Sequence, residues 1–201
     1  MNDRKRQDLT PDFVWTRFDC DYDVGILRWR DRPREQFADQ RAYNTWNARY
    51  AGEIAGTINL FGYVQIAITT DAGKHFYKAH VLIWAHRHGE WRPGEVDHIN
   101  GDRADNRICN LRVCTGSENG YNRALSRNNT SGHTGVWFDA RLNKWCARIV
   151  KNYRTAWERW FSTVEEAVEA RREALTAIAG EFAPDNANER PRYTHARNWK
   201  K

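Results

Sequence analysis

Residues 79–123, AHVLIWAHRHGEWRPGEVDHINGDRADNRICNLRVCTGSENGYNR, decide how this chain is read. The run HFYKAHVLIWAHRHG, from His75, reads as a strand entering a helix that stops at Gly89. A short apolar lead then places Asp97 and His98 at the end of one strand. A loop rich in Asn, Asp and Gly follows, and Asn110 opens a second short strand, Leu111 to Val113. Ser117 fits as the N-cap of a helix running to about Ser126, which carries Asn119 on its first turn.

These residues have a common chemistry. The carboxylate of Asp97 and the amide oxygen of Asn119 are hard donors, suited to one Mg²⁺ or Mn²⁺ that keeps several waters. His98, beside Asp97, can take a proton from water near neutral pH. Charge stabilisation together with an activated water is what phosphodiester hydrolysis needs. An isolated Asp-His pair, or a run of Asn, Asp and Gly, is ordinary turn chemistry. His80, His86 and His88 do not share a helix face, because neighbours on a face sit three or four residues apart, so they do not read as a zinc site.

The stretch resembles the HNH endonuclease domain of phage and homing endonucleases. The matching pieces are a histidine-led helix, Asp97-His98, Asn106-Arg107, Asn110-Leu111-Arg112, and Glu118-Asn119 with Asn122. The resemblance implies a ββα-metal finger. It makes Asp97 and Asn119 metal ligands and His98 the general base. It has Asn110 hold the loop so that the His98 ring faces the scissile phosphate. Asn106 and His80 fall at recurrent family positions and take scaffold roles.

Toward the C-terminus the pattern changes. Residues 127–135, RNNTSGHTG, read as a linker. Three strands are expected at Val136–Asp139, Lys144–Val150 and Thr155–Phe161. In the second, Trp145, Ala147 and Ile149 point one way, and Lys144, Cys146, Arg148 and Val150 the other. A helix follows with a capping box, Thr163 and Glu166, an apolar stripe from Val164 to Ile178, and a stop at Gly180. The stretches GVWFDARLNKWCARI and AWERWFSTVEEAVEA are similar to the APETALA2-like (ethylene-response-factor type) DNA-binding domain. That resemblance implies a three-stranded sheet on one helix, with Trp157 at the position of the family's DNA-contacting tryptophan. The expected DNA face comprises Trp137, Arg141, Lys144, Arg148, Lys151, Arg154, Trp157 and Arg159. Trp145 and Trp160 are expected to pack in the core or at an edge rather than to contact a ligand.

Charge follows the same division. The chain has 201 residues and a net charge of +6. Residues 1–120 hold 17 basic and 17 acidic side chains, so the whole surplus lies after them. Six basic residues and one acid fall between Arg141 and Arg159, which points to an acidic partner. Hydrophobic residues at 40% and charged residues at 29% exclude collagen, coiled coil and low-hydrophobicity disorder. No apolar run reaches the roughly 20 residues that span a bilayer, and no membrane partner is expected. The N-terminus lacks the apolar centre of a secretory signal, so a cytoplasmic setting in a bacterial host and four reduced cysteines are expected.

Before the nuclease stretch, residues 18–29 read as a hairpin turning at Asp23 to Gly25, and residues 34–51 as ambiguous, aromatic-dotted and helical at most. Arg28, Arg30, Arg32 and Arg34 there pack around the nuclease core or extend its DNA contact. The expected class is α+β, a ββα-metal core followed by a small three-stranded antiparallel sheet on one helix. The expected organisation is 1–55 supporting, 56–126 nuclease, 127–134 linker, 135–182 DNA-binding and 183–201 basic tail. The expected function is a metal-dependent endonuclease acting on double-stranded DNA, with phage homing, packaging and defence left open as its role and a monomer favoured. The alternatives are a DNA-binding protein with a catalytically silent HNH fold and an RNA-binding module.

Overall fold

A computed structural model describes residues 9–71, 73–122, 125 and 128–183, and the basic tail lies outside them. The class is α+β, with five α-helices and four small sheets among the described residues. No helix among these residues is long and apolar enough to cross a membrane. The chain divides into two compact units. Among the described residues, the first comprises 9–98 and 102–112, and the second 99–101 and 113–183.

The first unit opens with α1, Pro11–Arg17. Thr10 caps it by accepting from the Phe13 amide at 3.1 Å. The expected hairpin is present as β1, Phe18–Asp21, and β2, Ile26–Trp29, with Phe18 opposite Trp29. The ambiguous stretch contains α2, Gln40–Tyr50, capped by Asp39 on the Ala42 amide at 2.7 Å. A three-stranded antiparallel sheet follows, β3 (Thr57–Ile58), β4 (Val64–Thr70) and β5 (Gly73–Lys78), with β4 central. Val64, Ile66 and Ile68 alternate into the core from β4. Helix α3, Ala79–His88, leaves β5 directly and ends at Gly89. It adds Leu82 and Ile83 to a core shared with Val14, Phe18 and Leu27. Each such side chain contributes roughly 1.5–3 kcal/mol on full burial.

Two further strands, β6 (Glu95–His98) and β7 (Leu111–Cys114), form a two-stranded sheet. Between them runs the Asn- and Asp-rich loop, and the β1–β2 turn presses against it. The Ile108 amide donates to the Tyr22 carbonyl at 3.0 Å. Gly25 has φ +77°, and a Cβ there would lie 2.3 Å from the Arg107 nitrogen and 2.3 Å from the Asn106 carbonyl carbon. Only glycine meets both demands, so the hairpin turn fixes the loop from outside.

In the second unit, β8 (Val136–Asp139), β9 (Lys144–Lys151) and β10 (Arg154–Phe161) form an antiparallel sheet with β9 central. Helix α5, Val164–Ala179, has the expected capping box at Thr163 and Glu166, with Gly180 at its end. Val136, Ala147, Ile149, Ala167 and Leu175 are buried between sheet and helix. The buried stripe of α5 also includes Arg171, whose Nε donates to the Arg148 carbonyl at 3.1 Å. Gly135, with φ +67°, leaves room for that guanidinium, since a Cβ would lie 2.6 Å from its Nε. The helix expected to start at Ser117 is α4, Gly116–Tyr121, and its N-cap is Thr115. Thr115 and Glu118 form a capping box that sets the start two residues earlier than expected. Helix α4 packs among the residues of this unit. Tyr121 joins Ile149 and Leu175, and Ser117 Oγ accepts from the Asn152 amide at 3.0 Å.

Candidate functional site

Asp97 and His98 end β6 side by side, both buried. The His98 Nε2 lies 3.0 Å from Asn106 Oδ1, and His98 and Asn106 are only 3% and 2% exposed. An amide oxygen only accepts, so Nε2 carries the proton and Nδ1 is the basic nitrogen. Burial pushes the His98 pKa below the usual histidine value, against the upward pull of Asn106 and the nearby carboxylates. The ring is therefore neutral at pH 7, as a proton acceptor must be.

The ring stands among other groups of the first unit. His80, from α3, meets it edge-on with centroids 4.6 Å apart. Burial foremost, with His98, Lys78 and Arg92 adding, drives the His80 pKa well below its usual value. Tyr63 lies against both histidines, at 5.5 Å from His80 and 6.2 Å from His98. Two cations sit over the Tyr63 ring, Lys78 Nζ at 3.9 Å and the Arg103 guanidinium at 4.8 Å. Lys78 and Arg103 thus stand on the Tyr63 side of the cluster, while Asp97, Asp102 and Asp105 are the charged groups acting on His98.

Asp97 pairs with Arg112 from β7 at 3.3 Å, and both side chains are largely covered. Asn110 sits in the 3₁₀ turn that leads into β7, with its Nδ2 donating to the Asp105 carbonyl at 2.8 Å. Asp105 in turn binds Arg107 through both oxygens, at 2.8 and 2.6 Å. Asn110 thus ties the loop to itself, while Asn106 holds the ring. Asn119 lies on α4, in the second unit. Tyr63, Lys78, Arg103 and Arg112 were not anticipated from sequence. Arg112 had a signal, since it stands in the Asn-Leu-Arg motif on the strand beside Asp97.

Placement of the expected DNA face differs from the sequence reading at several residues. Strand β10 has a bulge between Thr155 and Trp157, after which Trp157 pairs with Ile149, Arg159 with Ala147 and Phe161 with Trp145. Trp157 is therefore on the helix side and packs against both core clusters of this unit. Trp160, expected in the core or at an edge, pairs with Cys146 on the outer face and is 43% exposed. Trp137 also pairs with Cys146, so the outer face carries the row Trp137, Cys146, Trp160. Lys144 and Arg148 share this face by alternation. Arg148 lies 4.8 Å over the Trp137 ring and is ion-paired with Glu158. Arg141 lies in the β8–β9 turn against Asp139 and is largely exposed. Lys151 instead donates to the Ile178 carbonyl at 3.2 Å, near the C-terminus of α5. Arg154 opens β10 opposite Lys151 and is exposed.

Residues 77–121 match the model of the HNH endonuclease family, so the chain carries an HNH-type nuclease segment. That segment runs from the end of β5 through α4 and takes in Asp97, His98, Asn106, Asn110 and Asn119. Over 76 residues the chain is 33% identical to Protein 3.8 of Escherichia phage T7, an overlap of 36% of this chain. The chain spans 63% of that relative's length. No solved structure matches.

Proposed function

We propose that the chain is a divalent-metal-dependent endonuclease that hydrolyses double-stranded DNA. The observation that carries this reading is the buried His98 ring, fixed by Asn106 beside Asp97 within the HNH segment. The donor chemistry fits a hard cation, with Asp97 and, by the sequence pattern, Asn119 as the residues that would hold Mg²⁺ or Mn²⁺. When bound, such an ion supplies charge stabilisation at the phosphate.

His98 Nδ1 takes a proton from the attacking water. The water oxygen bonds to phosphorus and the bond to the 3′ oxygen breaks, leaving a 5′-phosphate and, after protonation from solvent, a 3′-hydroxyl. Lys78 and Arg103 draw the phosphate toward the ring. Asn106 sets the tautomer, and Asn110 keeps the loop that presents Asn106.

The second unit is proposed to hold the duplex through an APETALA2-like sheet. The three antiparallel strands on one helix support this, as do Trp137, Trp160, Lys144 and Arg148 on the outer face. A sheet of this width enters the major groove. The kinship to a phage protein supports a phage setting, in which homing stands as one role beside packaging and defence.

The silent-nuclease alternative draws on one observation, the ion pair that engages Asp97 Oδ2 with Arg112. Supercoiled plasmid separates the two. We expect conversion to open circles or linear DNA with Mg²⁺ or Mn²⁺ and none with EDTA. Plasmid left intact under every metal condition would overturn the enzymatic reading.

A further inference from the structure

A second polar feature of the first unit has no part in the hydrolysis. A cavity of about 530 Å³ is bounded by α1, the end of β2, α2, β4 and β5. Arg17 and Arg32 reach it, with Lys74 on another wall. Both guanidiniums donate to one neutral atom, Gln36 Oε1, Arg32 through Nε at 3.0 Å. Among the described residues, no aspartate or glutamate lines the cavity. Burial lowers the pKa of both arginines, and the charge of Arg32 lowers that of Arg17 further. Two half-exposed guanidiniums thus converge on a neutral oxygen with no acid beside them, an arrangement that presents several donors to an anion.

The walls add a second kind of recognition. The Arg32 guanidinium lies 4.6 Å from the Phe37 centroid and 4.9 Å from that of Trp46. Arg17 lies 4.7 Å from the centroid of Phe13. Stacking on rings orders both guanidinium planes before any ligand arrives. Trp46 continues the aromatic wall to Tyr50, with centroids 5.4 Å apart. Helix α2, which supplies both rings, has no fully buried residue. Aromatic faces beside an ordered cation pair suit a base on the rings and its phosphate on the arginines. The volume admits a nucleotide and excludes a duplex.

We propose that this cavity binds a nucleotide of single-stranded DNA, its phosphate on Arg17 and Arg32 and its base against Trp46 and Tyr50. The proposal rests on the reading of the chain as a DNA-acting protein. It makes the N-terminal region a third DNA contact, for a strand unpaired beside the duplex.

The test is anisotropy of a fluorescein-labelled oligothymidylate of about twelve nucleotides, in EDTA, over a NaCl series. The full chain is compared with Arg17→Gln/Arg32→Gln and with Lys74→Gln. We expect the double variant to bind at least tenfold more weakly at low salt. Its log K against log salt slope should be shallower by about 0.7, the value for one lost phosphate contact. Lys74→Gln, at an exposed position that leaves folding alone, should make the slope shallower by about 0.7. Unchanged slopes in both variants would overturn the proposal. So would thymidine monophosphate competing as tightly as the oligomer, which would mark a free-nucleotide pocket. Plasmid nicking by the unaltered chain is measured in parallel. Absence of nicking with the slope changes intact would reject the nuclease reading and leave this site standing.

Discussion

Gly25→Ala tests whether the β1–β2 turn fixes the loop that holds His98. Gly25 is far from the chemistry in sequence, yet its missing Cβ lets the Asn106–Arg107 backbone approach. An alanine Cβ would meet two backbone atoms at 2.3 Å, and backbone cannot swing aside as a side-chain end can. Two costs follow. Holding a non-glycine residue at positive φ costs about 1–2 kcal/mol. Forcing an extra carbon into a packed contact costs about 1–3 kcal/mol more. Gly52 separates the two, because it has the same φ of +77° and nothing within 4 Å of its Cβ position. Gly52→Ala should carry the strain alone. For a unit of about 100 residues, 1 kcal/mol shifts the melting temperature by roughly 4–8 °C. Gly25→Ala should therefore melt about 4–24 °C below Gly52→Ala. It should also nick plasmid more slowly at temperatures where both are folded, because Asn106 moves with the loop. Calorimetry and a timed plasmid assay read both effects. Equal melting temperatures and equal nicking rates for the two variants would refute the proposed control of the loop by the turn.

Other outcomes are expected of the same geometry. His80 and His86 are buried with lowered pKa values, His86 between Trp15 and Tyr22. The unfolded chain therefore binds more protons than the folded one. Their stabilisation is fully present above about pH 6.5 and is lost as pH falls toward the folded values. The slope approaches about 1.4 kcal/mol per pH unit for each histidine. Melting temperatures that stay flat between about pH 7.5 and 5 would contradict this. Trp137→Ala and Trp160→Ala should weaken duplex binding about tenfold without lowering the melting temperature. Trp157→Ala should destabilise the second unit by roughly 2–3 kcal/mol, short of the loss for a fully buried Trp. The opposite pattern, seen by anisotropy and calorimetry, would return Trp157 to the DNA face. Arg171→Met removes the donor to the Arg148 carbonyl and should cost about 1–3 kcal/mol. An unchanged denaturant midpoint would show that the bond contributes nothing.

Much of the local structure was legible because single residues dictate it. The Asp23 to Gly25 turn, the end of α3 at Gly89 and the Thr163/Glu166 box on α5 are signals written in consecutive residues. The α4 start was equally written, as Thr115 with Glu118, but Ser117 drew the cap two residues on. The faces of β10 were not legible. Two-residue alternation counted from β9 puts Trp157 opposite Arg148, on the outer side. The bulge between Thr155 and Trp157 inserts one residue and reverses every later side chain, including Trp160. The candidate site was legible as a set of residue types in order. Which asparagine holds the ring was not, because the choice of Asn106 depends on a loop pressed by Gly25 from a hairpin about 80 residues earlier. The arginine pair on Gln36 was hidden for the same reason, since its aromatic supports come from α1 and α2.

The most direct measurement is single-turnover nicking of supercoiled plasmid by His98→Ala with Mg²⁺ or Mn²⁺, alongside duplex binding in EDTA. Loss of a general base costs about 10²–10⁴ in rate. We expect nicking to fall by at least about 100-fold while duplex affinity stays at the level of the unaltered chain. Nicking at the unaltered rate would contradict the assignment of His98 as the base.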